Sequence, residues 1–242
     1  MSELYLRLVD QSESESEDPN DSSAKRLRFQ GIDSYVRYLA HVLNLIVTDI
    51  LASLKSGNRA SAEHACDLMN SSQDIGSHSA LSRLRIMALW ISRTPQRKQQ
   101  WKILCRANNL KAKMIEYDVD TRWNSTYRMI RDALEAKQQI RMEQNQTCFP
   151  QFTADYWLLL RQIATVLAKF EKFTLTISKR EPQISLAIPI YYELQDMLDD
   201  AASRQGEFSG LDLDIAQAVS AGLKKYNKII ISWTRRTRFT LP

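Results

Sequence analysis

Arg122 and Trp123 are the adjacent pair best suited by type to grip a ligand, a fixed planar cation beside a large flat π-face. Arg can clamp a phosphate, and Trp can stack on an unpaired base. The pair lies in the run Tyr117-Asp118-Val119-Asp120-Thr121-Arg122-Trp123-Asn124-Ser125-Thr126-Tyr127. Apolar–polar alternation at Tyr117 to Val119 predicts a short strand. Asn124, Ser125 and Thr126 are N-cap types, and the apolar spacing beyond them is helical. Arg122 and Trp123 therefore fall at a strand-to-helix junction, a common place for exposed functional side chains. The same residue types also suit a Trp that anchors the junction in the core, with Arg at its rim.

Other chemistry is harder to find. There is no Gly-x-Ser-x-Gly, no phosphate-binding Gly-rich loop and no Cys-His arrangement. Cys66, Cys105 and Cys148 are odd in number and irregular in spacing, so they form neither a disulfide framework nor a zinc pattern. That usage implies a reducing, intracellular compartment. His64 and Cys66 lack a matching second pair for a metal. Nothing in the chain reads as a secretory leader or a membrane span.

Charge is more informative. The 242-residue chain carries a net +5. Between Asp74 and Glu116 there is no acid, but there are Arg83, Arg85, Arg93, Arg97, Lys98, Lys102, Arg106, Lys111 and Lys113. After Asp214 only bases follow, among them Lys224, Lys225, Lys228 and Arg235. One-signed stretches of this length fit a polyanion partner, or two solvated helix faces.

The elements that would position these residues are mostly helical, in keeping with six Gly and six Pro. Residues 1–30 are an acidic leader (Glu13, Glu15, Glu17, Asp18, Asp21) whose composition predicts disorder. Asp33 to Leu54 is a strong amphipathic helix, capped by Asp33 or Ser34. Arg37, His41, Asn44 and Thr48 form a polar strip along it. Further helices are expected over Glu63 to Leu68, Ser82 to Ser92, Gln96 to Met114 and Thr126 to Met142. Beyond Pro150 they continue over Ala154 to Ser178, Ser185 to Ala202 and Leu211 to Trp233. Pro189 is tolerable only within a first turn.

Four stretches, taken together and in order, resemble one family. Asp118 to Tyr127 resembles the Arg-Trp signature of hAT-type transposases. Ala40 to Val47 resembles their Cys-x-x-His-x-x-Asn-Leu segment, although Tyr38 stands where the Cys would be. Ile184 to Tyr191 and Gly222-Leu223-Lys224-Lys225-Tyr226 resemble parts of their helical insertion. The resemblance implies an incomplete ribonuclease H-like domain over residues 31–148 and part of a helical insertion over 149–242. The expected fold class is therefore mainly α with little β. It also implies a polar strip around His41 facing a substrate groove, and a nuclear protein whose partner is DNA.

Enzymes of that family hold two divalent metals, Mg or Mn, with three carboxylates. The family places two on strands before the His-containing helix and one after the insertion. Here Asp10 and Asp21 have no strand pattern around them, and Asp118 and Asp120 read as a cap-and-turn pair. No metal ligand or catalytic residue is assigned. The expected function is DNA binding without catalysis by a truncated relative, using Arg122, Trp123, His41, Arg93, Arg97, Lys98 and Lys102. The alternatives are a helical protein-interaction module with Trp123 buried, or an unstable gene relic.

Overall fold

The apolar stretch in the middle of the chain becomes the helix around which its neighbours pack. Every residue of Ala80–Ile91 is buried. The sequence places Leu84, Met87, Ala88 and Ile91 on one face, but the opposite face is covered too, Arg83 and Arg85 included. A helix apolar on most sides belongs inside a bundle rather than on its surface.

The computed structural model describes residues 32–71, 78–118, 123–146, 151–177 and 184–237. All lie within one compact unit, Ile32–Pro242. The described residues form nine α-helices: α1 Ile32–Ser53, α2 Arg59–Asn70, α3 Ala80–Ser92, α4 Pro95–Ala107, α5 Trp123–Glu135, α6 Lys137–Gln146, α7 Ala154–Ile177, α8 Ile184–Ser203 and α9 Leu213–Thr237. A short 3-10 turn at Gly206–Phe208 links the last two. The central helix α3 packs against α2, α4, α5 and α7. The long helix α7 touches α1, α3, α5, α8 and α9. It therefore contacts helices from both regions expected on either side of residue 148.

Caps explain several starts. Asn58 and Ser61 close a capping box at α2, each side chain taking the other's backbone N–H. Ser79 caps α3, and Thr94 caps α4 with Pro95 in its first turn. Helix α9 lies against α1 through Gly222. A Cβ there would meet Ile50 Cγ1 at 2.6 Å, so only glycine permits this approach. Tyr226, four residues on, donates from its hydroxyl to the Tyr191 carbonyl at 3.0 Å. Burial pushes that phenol up to about 12.

The mainly helical expectation holds, but several elements differ from the sequence reading. Tyr117 and Asp118 form no strand, and there is none among the described residues. Val119 lies outside the described residues. With no neighbouring strand to pair with, the segment is held by side chains instead. Trp101 Nε1 donates to the Lys113 carbonyl at 3.1 Å, and Gln139 Nε2 to that of Lys111 at 3.3 Å. The helix expected to Met114 ends at Ala107, where Asn109 turns left-handed (φ 55) and the Leu110 N–H bonds back to the Cys105 carbonyl. The helix expected from Thr126 starts at Trp123 and divides at Ala136. The short helix expected at Glu63 gains its first turn from the Asn58 cap. Pro189 sits inside α8 rather than in its first turn, at the cost of one backbone hydrogen bond. Ser185 is inside α8 as well, so it does not cap it. No helix among the described residues is long and apolar enough to cross a membrane.

Candidate nucleic-acid interface

Asp118, at the head of the signature run, is 3% exposed and ties three elements together. Arg85 of α3 donates to it from Nε at 3.1 and 3.0 Å and from Nη2 at 2.6 Å. Thr126 of α5 donates from its hydroxyl at 2.6 Å. Arg85 Nη1 donates onward to the carbonyls of Ser56 and Gly57, at 2.8 and 2.6 Å, in the turn between α1 and α2. A buried carboxylate thus meets a forked cation whose remaining donors also find carbonyls, the arrangement that makes a buried ion pair tolerable. Asp118 is therefore not half of a cap-and-turn pair, and Thr126 is not an N-cap. Asp120 lies outside the described residues.

Trp123 opens α5 and is 7% exposed. Its ring meets Phe170 of α7 edge-on, with centroids 6.1 Å apart. This is the anchoring arrangement, with no open face for a base. Arg122 lies outside the described residues, as do Asp10 and Asp21 and the whole leader.

The basic residues between α3 and α4 divide into two groups. Arg93 pairs with Asp67 at 2.7 Å. Arg97 lies over the Trp90 ring, 3.4 Å from its centroid, and donates to Asn70 at 2.6 Å. Both close the corner between α2, α3 and α4, where they lie beside the buried thiol of Cys66. Burial pushes that thiol up, and the two guanidinium groups offset this only in part. Lys98 and Lys102 behave differently. With Arg106 they recur every four residues, so they form one line along α4, and all three are exposed. At 1.5 Å per residue the line runs about 12 Å. No ion pair joins them to an acid among the described residues, and α4 itself contains no acid. Trp101, Leu104 and Cys105 are buried and seat the helix.

The structure does not bring His41 to this line. His41 is exposed on α1, which makes no packing contact with α4 among the described residues. Of its polar strip, Thr48 bonds back to the Asn44 carbonyl at 2.7 Å, and the Arg37 side chain lies outside the described set. The sequence reading missed Arg85, Thr126 and Arg106 as site residues. Arg106 could have been found from its four-residue step beyond Lys102, and Arg85 from being a cation within an apolar helix.

Glu143 of α6 is a further buried acid. Burial pushes its carboxyl above the ordinary 4.5, and Arg97 pulls it part of the way back. The unfolded chain ionises this group at a lower pH than the folded one. The charge therefore costs stability as pH rises from the unfolded value through the folded value, and costs nothing below both. Glu143→Gln is expected to raise the urea midpoint at about pH 7 and to leave it unchanged at about pH 4. Equal gains at both pH values would contradict this.

The described residues do not fit a metal pair. No three of His, Cys, Asp and Glu converge among them, and both Asp118 oxygens are taken.

Comparison with known proteins gives two kinds of match. The family model for the ZBED1 RNase-like helical domain covers residues 36–166. The putative AC transposase and the putative AC9 transposase of Zea mays are each 30% identical over 122 residues. That match takes in 50% of this chain but only 12% of the length of each relative. No solved structure matches.

Proposed function

The chain belongs to the ZBED1 RNase-like helical domain family, related to the hAT-type transposases, and from that premise we propose that it binds DNA without cutting it. The α4 line carries this reading: Lys98, Lys102 and Arg106 are exposed, in register and free of acids. Such a line neutralises phosphates at the low cost of partly desolvating three surface cations. The transposase names of the relatives supply the partner class, and a nuclear site of action goes with it. Arg93 and Arg97 act indirectly, by fixing the corner from which α4 springs. Arg122 remains a candidate phosphate contact, and His41 a candidate on a separate surface. No step of strand cutting is assigned to the described residues.

The test uses a DNA hairpin, which offers paired and unpaired bases together. Binding is followed by fluorescence anisotropy from about 50 to 200 mM salt. Replacing Lys98, Lys102 and Arg106 together by Gln is expected to weaken binding on the order of 100-fold and to flatten the log–log salt slope by about 2.7. Surface changes of this kind leave stability within about 0.5 kcal/mol, so a melt separates lost binding from lost folding. An unchanged salt slope in the variant would remove α4 from the interface. Salt-independent affinity in the wild type, together with a stable protein partner, would favour the helical interaction module. The burial of Trp123 is the observation on the side of that second reading.

A further inference from the structure

Independently of the DNA reading, we propose that a cavity between α1, α3, α7 and α9 binds a small carboxylate with an apolar body. The cavity has a volume of about 360 Å³, a size that suits a small organic ligand. Leu81, Leu159, Ile163 and Ile215 give it apolar walls. The start of α3 sets the charge it takes. Ala80 and Leu81, the first two residues of that helix, both line the cavity. Their N–H groups have no acceptor within the helix, whereas the Ser82 N–H is taken by the Ser79 hydroxyl at 3.2 Å. The same hydroxyl donates to the Lys55 carbonyl at 3.0 Å, which ties Lys55 to the start of α3. Lys55 is exposed, lines the cavity and pairs with no acid among the described residues. Orphan helix donors beside a lysine suit a carboxylate, and the walls suit its apolar body.

Every helix has such an end; Arg83 is what distinguishes this one. It is 8% exposed, yet it pairs with no acid among the described residues. Its Nε has no hydrogen-bond partner there, and its Nη2 reaches the Tyr156 hydroxyl at 3.4 Å. The guanidinium lies over the Tyr156 ring, 4.7 Å from its centroid, and Tyr156 lines the cavity. Arg83 follows Ser79 and Ala80 by four and three residues, so it shares their face of α3. Helical side chains lean toward the helix start, which carries its charge toward the cavity. A buried cation without an anion is costly, and an aromatic ring offsets only part of that cost. Arg85, by contrast, is neutralised by Asp118. A carboxylate at the start of α3 would do the same for Arg83. The one acid lining the cavity among the described residues is Asp214, which is exposed and opposes the anion rather than holding it.

The isotope-labelled full chain is titrated with phenylbutyrate, ionised at about pH 7, and with its uncharged analogue phenylbutanol, and the backbone amide resonances are followed. Phenylbutyrate is expected to shift the Ala80 and Leu81 amides saturably, and phenylbutanol to bind about tenfold more weakly. Lys55→Gln should weaken phenylbutyrate about threefold, and Asp214→Asn should tighten it about twofold. Arg83→Met should weaken the acid and leave the alcohol unchanged, an outcome that a purely structural role for Arg83 would not give. The phenylbutanol comparison and Lys55→Gln leave the core untouched, so they decide the matter even if Arg83→Met folds poorly. No saturable shift at Ala80 or Leu81 by about 10 mM phenylbutyrate would overturn the site. Equal binding of the alcohol would overturn the anion. Weaker binding in Asp214→Asn would show that the ligand carries a cation as well, and would overturn the class proposed.

Discussion

Asp118→Ala should destabilise the fold by about 3–5 kcal/mol, more than a typical core substitution. The loss does not measure the worth of the ion pair. Alanine would leave the Arg85 guanidinium, whose side chain is 5% exposed, without its anion. An uncompensated buried charge is what makes the change severe. Thr126 would lose its acceptor, and the start of α5 would lose its tie to α3. Domains of this size have about 5–15 kcal/mol in hand, so the variant would lie near the threshold of folding. A urea melt of the purified chain measures this. The double change Arg85→Met with Asp118→Leu is expected to recover most of the loss, since a matched apolar pair of similar volume carries no stranded charge. If the single variant melts with the wild type, Arg85 and Asp118 are not buried together in solution.

The second large effect is expected at Trp101, whose replacement by alanine should cost about 3–5 kcal/mol. Its side chain is fully buried and its Nε1 holds the Lys113 carbonyl at 3.1 Å. It thus carries both the packing of α4 and the path of the strandless segment that returns to Asp118. Trp101→Phe keeps most of the packing and removes the donor, so a smaller loss of about 1–2 kcal/mol is expected. The two variants separate stability from binding. Trp101→Phe, still folded, should keep the salt slope set by Lys98, Lys102 and Arg106. Trp101→Ala should lose that slope together with its helical circular dichroism at temperatures where the wild type is folded. Loss of the slope in folded Trp101→Phe would mean that Trp101 contributes to DNA contact directly.

Both variants probe parts of the molecule that the sequence shows only in part. The periodic helices were legible because a 3.6-residue apolar pattern over twenty or so residues has few other solutions. Ile32–Ser53 and Ala154–Ile177 lie within one or two residues of expectation for that reason. The junction was misread because Tyr117 to Val119 alternates as a strand does. Alternation says only which side chains differ, not whether a partner strand exists. Similarly, Gln96 to Met114 looked continuous because basic residues tolerate both helix and loop, and the left-handed turn at Asn109 has no apolar signature.

By itself, then, the sequence determined that the chain is helical, that its acids and bases are segregated, and that its motifs resemble those of the hAT-type transposases. Those properties follow from local spacing and composition. The tertiary structure alone decided that Asp118 belongs to Arg85 at a separation of 33 residues, and that Trp123 faces Phe170 rather than solvent. It also decided that, of the four basic residues singled out on and before α4, Arg93 pairs with Asp67 at the surface and Arg97 lies over Trp90, while Lys98 and Lys102 stay exposed. An arginine or tryptophan has the same chemistry in either setting. Its role is set by what the rest of the chain places within hydrogen-bonding and packing distance, which no local pattern encodes.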